Sequence, residues 1–459
     1  MAKNKEELFE SYPIPKAVAA LSIPTVIACL VMVMYNLADT FFVGKLNSAV
    51  ETSAVTLAAP VILAFNAVTN LFGMGCSSLM SRALGVKDYN TVRKSAALGF
   101  YCSIICGAAF SLCATFFRGG LLKLLGTSPE CMTSTSEYLF WTVTCGAIPS
   151  MLNVVMANLV RAEGSSVHAS VGTMSGCVLN IILDPFFIMP WGLGLGASGA
   201  GLATFISNCV ACLYFIIVVL VKGGNTYVSM NPKDFRPTKT VAKEVFGVGV
   251  PSSVQNILNV TGMTVLNNFM SGYGKEAVAA IGISHKTAMV PMYLFMGITQ
   301  GVMPLIGYNY SSGNKKRLKS AVRFTEYFAG TGALIGALLV FVFSREIVGM
   351  FMNDPKIVEY GGAFLKGAAL ALPFLFMDFM AVGVFQACGL GKRTFVFAIL
   401  RKVALEIPAI IVLDYFFPMY GPAYAQLAAE LILAAAAFIW LEKLLRDNGE
   451  KGVIQFGTL

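Results

Sequence analysis

Apolar residues run through this chain in twelve stretches of about 20 residues or more, which short polar or charged breaks separate. About 20 apolar residues are the length of α-helix that spans the hydrocarbon core of a bilayer. The pattern therefore predicts an all-α integral membrane protein with twelve transmembrane helices. The predicted helices cover 17–44, 53–80, 95–117, 136–160, 169–189, 198–221, 244–270, 277–309, 321–343, 360–388, 396–417 and 422–442.

Composition supports a membrane protein. Hydrophobic residues make up 56% of the chain and charged residues only 12%, with a mean hydropathy of +0.72. Soluble globular proteins carry about a quarter charged residues, because their surface faces water. The net charge of +9 does not indicate nucleic-acid binding, because the basic residues lie in short loops and form no patch interleaved with aromatic residues.

The Lys and Arg residues predict the orientation in the membrane. If the N-terminus is cytoplasmic, roughly three in four of the 33 basic residues fall on the inner side, with Arg401, Lys402 and Lys451 among them. The polar N-terminus through Lys16 precedes an apolar run that is too long for a signal peptide, which predicts an uncleaved first span. We therefore expect a multi-pass protein of the plasma or inner membrane, with both termini cytoplasmic.

The two halves of the chain repeat each other at an offset of about 225 to 230 residues. "LSIPTVIACL" (21–30) aligns with "VGVPSSVQNI" (248–257), and "IILDPFF" (181–187) aligns with "IVLDYFF" (411–417). Six spans are an even number, so both halves enter the membrane in the same direction, as parallel repeats around a central cleft. The predicted parts are a first six-helix bundle (1–221), a cytoplasmic linker (222–243) and a second six-helix bundle (244–459).

Polar residues at membrane depth are costly and are usually functional. Asn36 and Asp39 are three residues apart in the first helix, and Asn180 and Asp184 are four apart in the fifth, so each pair shares one helix face. Thr204 lies about two turns into the sixth helix. Counting depth from the helix ends places all five in one layer, in the outer half of the first bundle.

These five residues predict an ion-coupling site. Pro185 frees a helix carbonyl, and a buried carboxylate beside carbonyls, amides and a hydroxyl can take a proton or a sodium ion. Two neighbouring carboxylates would titrate as a pair. The alternative is that both aspartates are solvated at the headgroup level.

The polar residues of the second half form no comparable layer. Its candidates for a substrate cleft are Gln255, Asn259, Lys286, Gln300 and Asp378. Lys286 needs an anionic partner if it is buried, and Asp378, Glu406 or Glu430 could serve. The 22 Met and 34 Phe residues suit a promiscuous cavity for greasy cations, or they face lipid and pack the bundles.

Two further positions of the second half follow from the repeat. Asn267 and Asn268 stand where it would place Asp39, so amides replace that carboxylate. Asp414 lies near an outer helix end, where solvation explains it.

The other motifs in the sequence do not indicate an enzyme. "GLGASG" (194–199) fits GxGxxG, but it follows no strand and lies in an outer loop, where its glycines are expected to form a tight connection. With His168 and His285 as the only histidines, HExxH chemistry is excluded. The chain contains no GxSxG and no GxxxxGK[ST] sequence, so we expect neither an esterase nor an in-chain ATPase.

With these features, the chain resembles the multidrug and toxic compound extrusion (MATE) family, in its bacterial multidrug-pump branch. The resemblance runs over nearly the whole chain, in an ordered series of motifs. They are "LSIPTVIACLVMVMYNLADTFFVGKL", "SRALGVKDY", "LVRAEGSS", "LNIILDPFF", "GASGAGLATFISN" and "GVMPLIGYNYSSGN".

The resemblance implies a secondary antiporter that exports cationic or amphiphilic drugs, with a proton or sodium as coupling ion and no cofactor. It implies an ion-responsive site at Asp39, Asn180, Asp184 and Thr204. Another branch has a Glu in the seventh helix where this chain has Asn259, and Asp378 is outside that branch's register, so no ion site is expected in the second half. We further expect a monomer in the lipid bilayer, with no nucleic-acid partner.

Two other functions remain open at this stage. A flippase for lipids or lipid-linked oligosaccharides has the same broad architecture, but such proteins tend to line the cleft with several cations, and Lys286 alone is a candidate here. A membrane-embedded enzyme is the other alternative, and the missing catalytic constellations argue against it.

Overall fold

A computed structural model describes residues 2–46, 48–352 and 354–447 of the chain, so Lys451 lies outside the described residues. Each of the twelve predicted spans is helical. We number them α1 to α12. The first half contains α1 (Ile14–Lys45), α2 (Ala49–Gly85), α3 (Tyr89–Phe116), α4 (Met132–Leu139, π-helical Phe140–Cys145 and Ala147–Ala162), α5 (Ser166–Ile188) and α6 (Gly196–Lys222).

The second half contains the other six spans. They are α7 (Lys239–Ser271), α8 (Lys275–Ser311), α9 (Lys315–Val342), α10 (Pro355–Ala387), α11 (Gly391–Ile399, π-helical Leu400–Glu406 and Ile407–Phe416) and α12 (Gly421–Asp447). Short helices lie outside the spans, at Ala2–Glu10, Arg118–Leu124, Ser344–Gly349, Gly223–Asn225 and Pro232–Asp234.

Ten of the spans meet a length and hydropathy test for crossing a membrane. Nine single helices of the described chain pass it, and the two parts of α4, which are bent by 52°, pass it together. The two remaining spans are α7 and α11. Helix α7 carries several amide side chains, and α11 carries Arg401, Lys402 and Glu406 in its π-helical part. Both spans therefore have partners other than lipid for part of their length.

Equivalent helix caps support the internal repeat. Asp88 accepts a hydrogen bond from the Thr91 backbone N–H at 3.1 Å at the start of α3. Asn314 accepts one from the Arg317 N–H at 3.1 Å at the start of α9. Both caps satisfy an N–H that the first helical turn leaves free. They follow the second helix of their half, so the two halves turn in the same way at equivalent positions.

The two halves meet on the side of the molecule where α1 begins and α12 ends, which we call the terminus side. The hydroxyl of Ser253 donates to the Ala67 carbonyl at 2.5 Å, and that of Ser311 donates to the Arg82 carbonyl at 2.6 Å. Backbones also touch: a Cβ atom on Gly249 of α7 would lie 2.2 Å from the Leu71 oxygen of α2. These contacts of α2 with α7 and α8 form the terminus-side seal.

The N-terminal helix adds a second connection on the same side. Phe9 is buried and stacks on Tyr308 of α8, with ring centroids 5.1 Å apart. Arg317 of α9 donates to the Phe9 carbonyl at 2.5 Å. Glu6 accepts a hydrogen bond from the Tyr89 hydroxyl of α3 at 2.7 Å. The helix thus binds both halves at once.

The sequence interpretation was wrong about two basic residues. Arg401 and Lys402 counted as inner-side charges, but they are only 4% and 8% exposed and lie inside α11. Buried carboxylates pair with both, as described below. The remaining Lys and Arg residues keep the same bias towards the terminus side.

Candidate ion-coupling site

Helix α5 carries the centre of the candidate site, because it packs between α1 and α6. Its Asp184 side chain is fully buried, and Asn180, one turn earlier, is 2% exposed. The helix continues through Pro185 to Ile188. The four-residue spacing therefore places the amide and the carboxylate on the same inward face, as the sequence predicted.

The Asn180 amide connects α5 to α6. With its nitrogen towards the carboxylate, it donates to Asp184 Oδ2 at 3.0 Å and accepts from the Thr204 backbone N–H at 3.0 Å. The Thr204 hydroxyl lies 3.4 Å from the same amide. The amide thus has an acceptor on one side and donors on the other, which fixes its orientation.

Asp39 brings α1 to the site. It is half-buried, and its carboxylate is close enough to that of Asp184 for the two to interact electrostatically. The structure therefore places Asp39, Asn180, Asp184 and Thr204 together, in the arrangement that their spacing and depth predicted. Two carboxylates, an amide and a hydroxyl provide oxygen atoms for a proton or a hard cation.

Two tyrosines at the site were missed by the sequence analysis. Tyr35 lies one turn before Asp39, makes a hydrogen-bonding contact with Thr204 and interacts with both carboxylates. Tyr138 of α4 is 7% exposed and also interacts with both. The four-residue spacing to Asp39 was a signal for Tyr35. Tyr138 gave none, because the bend in α4 that brings it inward has no clear sequence signature.

Asn36 is half-buried on α1, one turn before Thr40. Its amide donates to the Met32 carbonyl at 2.8 Å, within α1 itself. The hydrogen-bonding contact from α1 to α6 at the site comes from Tyr35 instead.

The "GLGASG" segment forms the start of α6 and helps to position Thr204. Gly196 has a φ of +58°, and a Cβ there would lie 2.5 Å from Glu51 Oε2. Glu51 of α2 accepts from the Ala197 N–H at 2.6 Å and from the Ser134 hydroxyl at 2.8 Å. A carboxylate at a helix N-terminus is favourable because of the helix dipole. The glycines therefore form the tight connection that was predicted, and Glu51 holds it.

The candidate cleft residues of the second half are dispersed. Gln255 of α7 accepts from the Gln386 side chain of α10 at 3.3 Å. Gln300 lines a cavity of about 20 Å³ at the terminus side. Asn259 is half-buried on α7, whereas Lys286 is exposed on α8.

Asp378, the fifth cleft candidate, is buried in the second bundle. Its Oδ2 lies 3.3 Å from an Arg401 nitrogen, and Arg401 Nε donates to Glu430 at 2.8 Å. Lys402 donates to Glu406 at 2.6 Å. Because Lys286 is exposed, it does not need a buried anionic partner, and these carboxylates do not pair with it. Their partners are the two neighbouring basic residues of α11.

The second half does not copy the carboxylate pair of α1 and α5. Asp414, the repeat equivalent of Asp184, accepts from the Tyr273 hydroxyl at 2.6 Å in an exposed position. Asn267 is half-buried and Asn268 is exposed. The candidate site thus belongs to the first half alone.

Comparison with known proteins shows which family has this architecture. The MatE family model matches residues 24–186 and again 251–412, so the two matches begin at the prolines that the repeat aligns. Multidrug export protein MepA of Staphylococcus aureus (strain MRSA252) is 34% identical over 441 residues, which cover 96% of each chain. MepA of Staphylococcus saprophyticus is also 34% identical, with the same coverage.

Solved structures share the fold. One is described as the outward-facing conformation of a multidrug resistance MATE family transporter, with a TM-score of 0.91, 24% identity and coverage of 97% of this chain and 98% of that one. A second, MATE in complex with MaL6, has the same TM-score and identity and covers 99% of its chain. With the family model matching most of the chain in two repeats, this protein belongs to the MATE family of membrane transporters.

Proposed function

We propose that this protein exports cationic or amphiphilic organic compounds in exchange for protons or sodium ions. Family membership and the relatives named as multidrug export proteins support efflux. The observation that carries the coupling proposal is the electrostatic interaction of Asp39 with Asp184, beside Asn180 and Thr204, across three helices.

The mechanism follows from two like charges at membrane depth. When both carboxylates are ionised, their repulsion is strong because the surroundings have a low dielectric constant. One proton or one sodium ion removes most of that repulsion and lets α1 pack more closely against α5. Ion binding therefore favours one arrangement of α1, and a substrate that favours the other arrangement competes with the ion through the same equilibrium.

The proposed direction of transport depends on the orientation. The Lys and Arg bias favours a cytoplasmic terminus side. The terminus-side seal then closes the protein towards the cytoplasm, and the cleft between the halves opens outwards. In this state the first-half site is in position to receive an ion from outside.

Cysteine labelling tests that orientation. Leu195→Cys and Lys316→Cys, each in a variant without the 11 native cysteines, place one thiol in each of two exposed loop regions. We expect an impermeant maleimide to label position 195 but not position 316 in intact cells, and both after lysis. The reverse pattern would overturn the orientation.

Transport itself is tested in reconstituted vesicles with a fluorescent dye cation. A proton or sodium gradient should drive dye movement, and an ionophore that collapses the gradient should stop it. Asp39→Asn should abolish gradient-driven transport while expression stays normal. Transport of the variant at the wild-type rate would contradict the assignment.

A double-mutant cycle tests whether the two carboxylates act as one site. Asp39→Asn and Asp184→Asn should be non-additive, so that the double variant is hardly worse than either single one. The measurement is dye affinity of all four proteins from mildly acidic to mildly alkaline pH. Losses that add, with the pH dependence kept in both single variants, would show two independent carboxylates.

A further inference from the structure

The second half buries five ionisable side chains in one cluster, which we call the α11 cluster. Its members come from α10 (Asp378), α11 (Arg401, Lys402 and Glu406) and α12 (Glu430). Each is at most 8% exposed. Arg401 joins Asp378 to Glu430, and each of these groups also interacts electrostatically with Lys402.

The backbone is adapted to this cluster. Residues Leu400–Glu406 are π-helical, a local form that occurs often at functional sites. On the facing helix α7, a Cβ on Gly262 would lie 2.9 Å from Lys402 Cδ and 3.3 Å from its Nζ. The Lys402–Glu406 pair thus fills the space that glycine leaves free on α7.

The charges of the cluster do not balance. Three carboxylates and two cations leave one negative charge when all five groups are ionised. Arg401 keeps its charge under all ordinary conditions. Neutralising Lys402 together with Glu406 leaves the same surplus. An uncompensated charge at this depth costs several kcal/mol, so a group that can take up a proton does so.

Two unpartnered oxygens show where such a proton would go. Asp378 Oδ1 and Glu430 Oε2 are buried without a hydrogen-bond partner. These two carboxyl groups also interact with each other electrostatically. A proton on either one removes the surplus charge, and the other keeps its ion pair with Arg401.

His285 of α8 is the further titratable group that faces the cluster. It interacts with Lys402 and Glu406, and its Nε2 is buried without a partner. An imidazolium there would face the Lys402 ammonium and would have no acceptor for its Nε2 proton. The carboxyl groups are therefore the better position.

We propose that the α11 cluster is a second proton-binding site, in which Asp378 and Glu430 share one proton. The pairing of these residues with Arg401 and the two unpartnered oxygens carry the assignment. It does not depend on the proposed antiport, since the site exists whether or not the proton moves during transport. The second half would then hold a titratable position that the repeat does not predict from the first.

Infrared spectroscopy of the purified protein tests this directly. A protonated carboxyl group has a carbonyl stretch that ionised carboxylates lack, and the band shifts in deuterated water. The background is Asp39→Asn with Asp184→Asn, which removes the carboxyl groups of the first site. In sodium-free buffer at neutral pH, we expect one such band to remain.

The charge argument predicts how variants change that band. Asp378→Asn, Glu406→Gln or Glu430→Gln each removes one negative charge, so each should abolish the band. Lys402→Gln adds a surplus charge and should about double it. Glu442→Gln, at a half-buried pair with Arg323, is the control and should leave it unchanged. Absence of the band in the background, or its survival in all three carboxyl variants, would overturn the proposal.

Discussion

The two halves of this transporter carry the same short sequence in different surroundings. "IILDPFF" in α5 and "IVLDYFF" in α11 place an Asp at equivalent positions, yet Asp184 is fully buried whereas Asp414 bonds Tyr273 at an exposed helix end. Asp184 has Asn180 one turn earlier on its own helix and Thr204 opposite. The comparison shows that a repeated motif conserves backbone geometry, while the neighbouring helices decide its chemistry.

The halves also differ in how they stabilise buried carboxylates. In the first half, Asp184 has an amide as its hydrogen-bond partner and tyrosines around it. In the second half, Arg401 and Lys402 bind the carboxylates as ion pairs. The amide and hydroxyl partners of the first half leave a carboxyl group free to gain or lose a proton. In the second half, Arg401 and Lys402 hold the carboxylates ionised, except for the one that the proposed shared proton neutralises. Under the proposed function, the site coupled to transport lies in the first half, whereas the ion pairs of the second half mainly stabilise the fold.

The largest expected effect is on stability, from Arg401→Gln. The variant leaves Asp378 and Glu430 buried without their cation, and breaking a buried ion pair on one side costs about 3–5 kcal/mol. We expect a lower thermal-unfolding midpoint in detergent and weak expression. Arg323→Gln, at the half-buried pair with Glu442, is the matched control, with a loss of about 1 kcal/mol or less.

A rescue variant keeps that prediction testable if Arg401→Gln does not fold. Adding Glu430→Gln removes one of the two carboxylates that have lost their cation, and it should restore part of the stability. If the double variant is no more stable than the single one, the ion pair is not the cause of the loss.

The next effect in size compares the equivalent aspartates. Asp184→Asn keeps the shape and an acceptor oxygen for Asn180 but fixes the charge at zero, so gradient-driven dye transport should fall about ten-fold or more. Asp414→Asn should stay within about two-fold of wild type, because its partner is a tyrosine at an exposed end. Equal losses in both variants would contradict the separation of roles.

The smallest effect concerns how the first half positions α6. Glu51→Gln keeps an acceptor for the Ala197 N–H but removes the charge at the helix N-terminus. We expect a stability loss of about 1 kcal/mol, measured as a lower unfolding midpoint in detergent at low salt. Glu346→Gln, in a short helix of the second half outside the spans, is a control with a smaller expected change.

Much of the fold could be predicted because the bilayer imposes a simple pattern. The length of the apolar runs predicted the twelve spans. The four-residue spacing predicted that Asn180 and Asp184 share a helix face, and depth counted from the helix ends placed Asp39 in the same layer. Tyr138 and the depth of Arg401 and Lys402 could not be predicted in this way. Arg401 and Lys402 lie in a π-helical segment and Tyr138 lies in the first part of a bent span, and hydropathy records neither feature.

The terminus-side seal has a consequence for the speed of the transport cycle. Much of it consists of glycine backbones and serine hydroxyls, such as Gly249 against the Leu71 carbonyl and Ser253 on the Ala67 carbonyl. Parting these surfaces also separates the buried Arg82 guanidinium of α2 from Glu244 of α7, which it contacts at 2.8 Å across the same interface. Separating that pair adds to the barrier of any step that opens the seal. A bulky side chain at Gly249 would push the two halves apart, so variation in this seal is limited by volume as well as by charge.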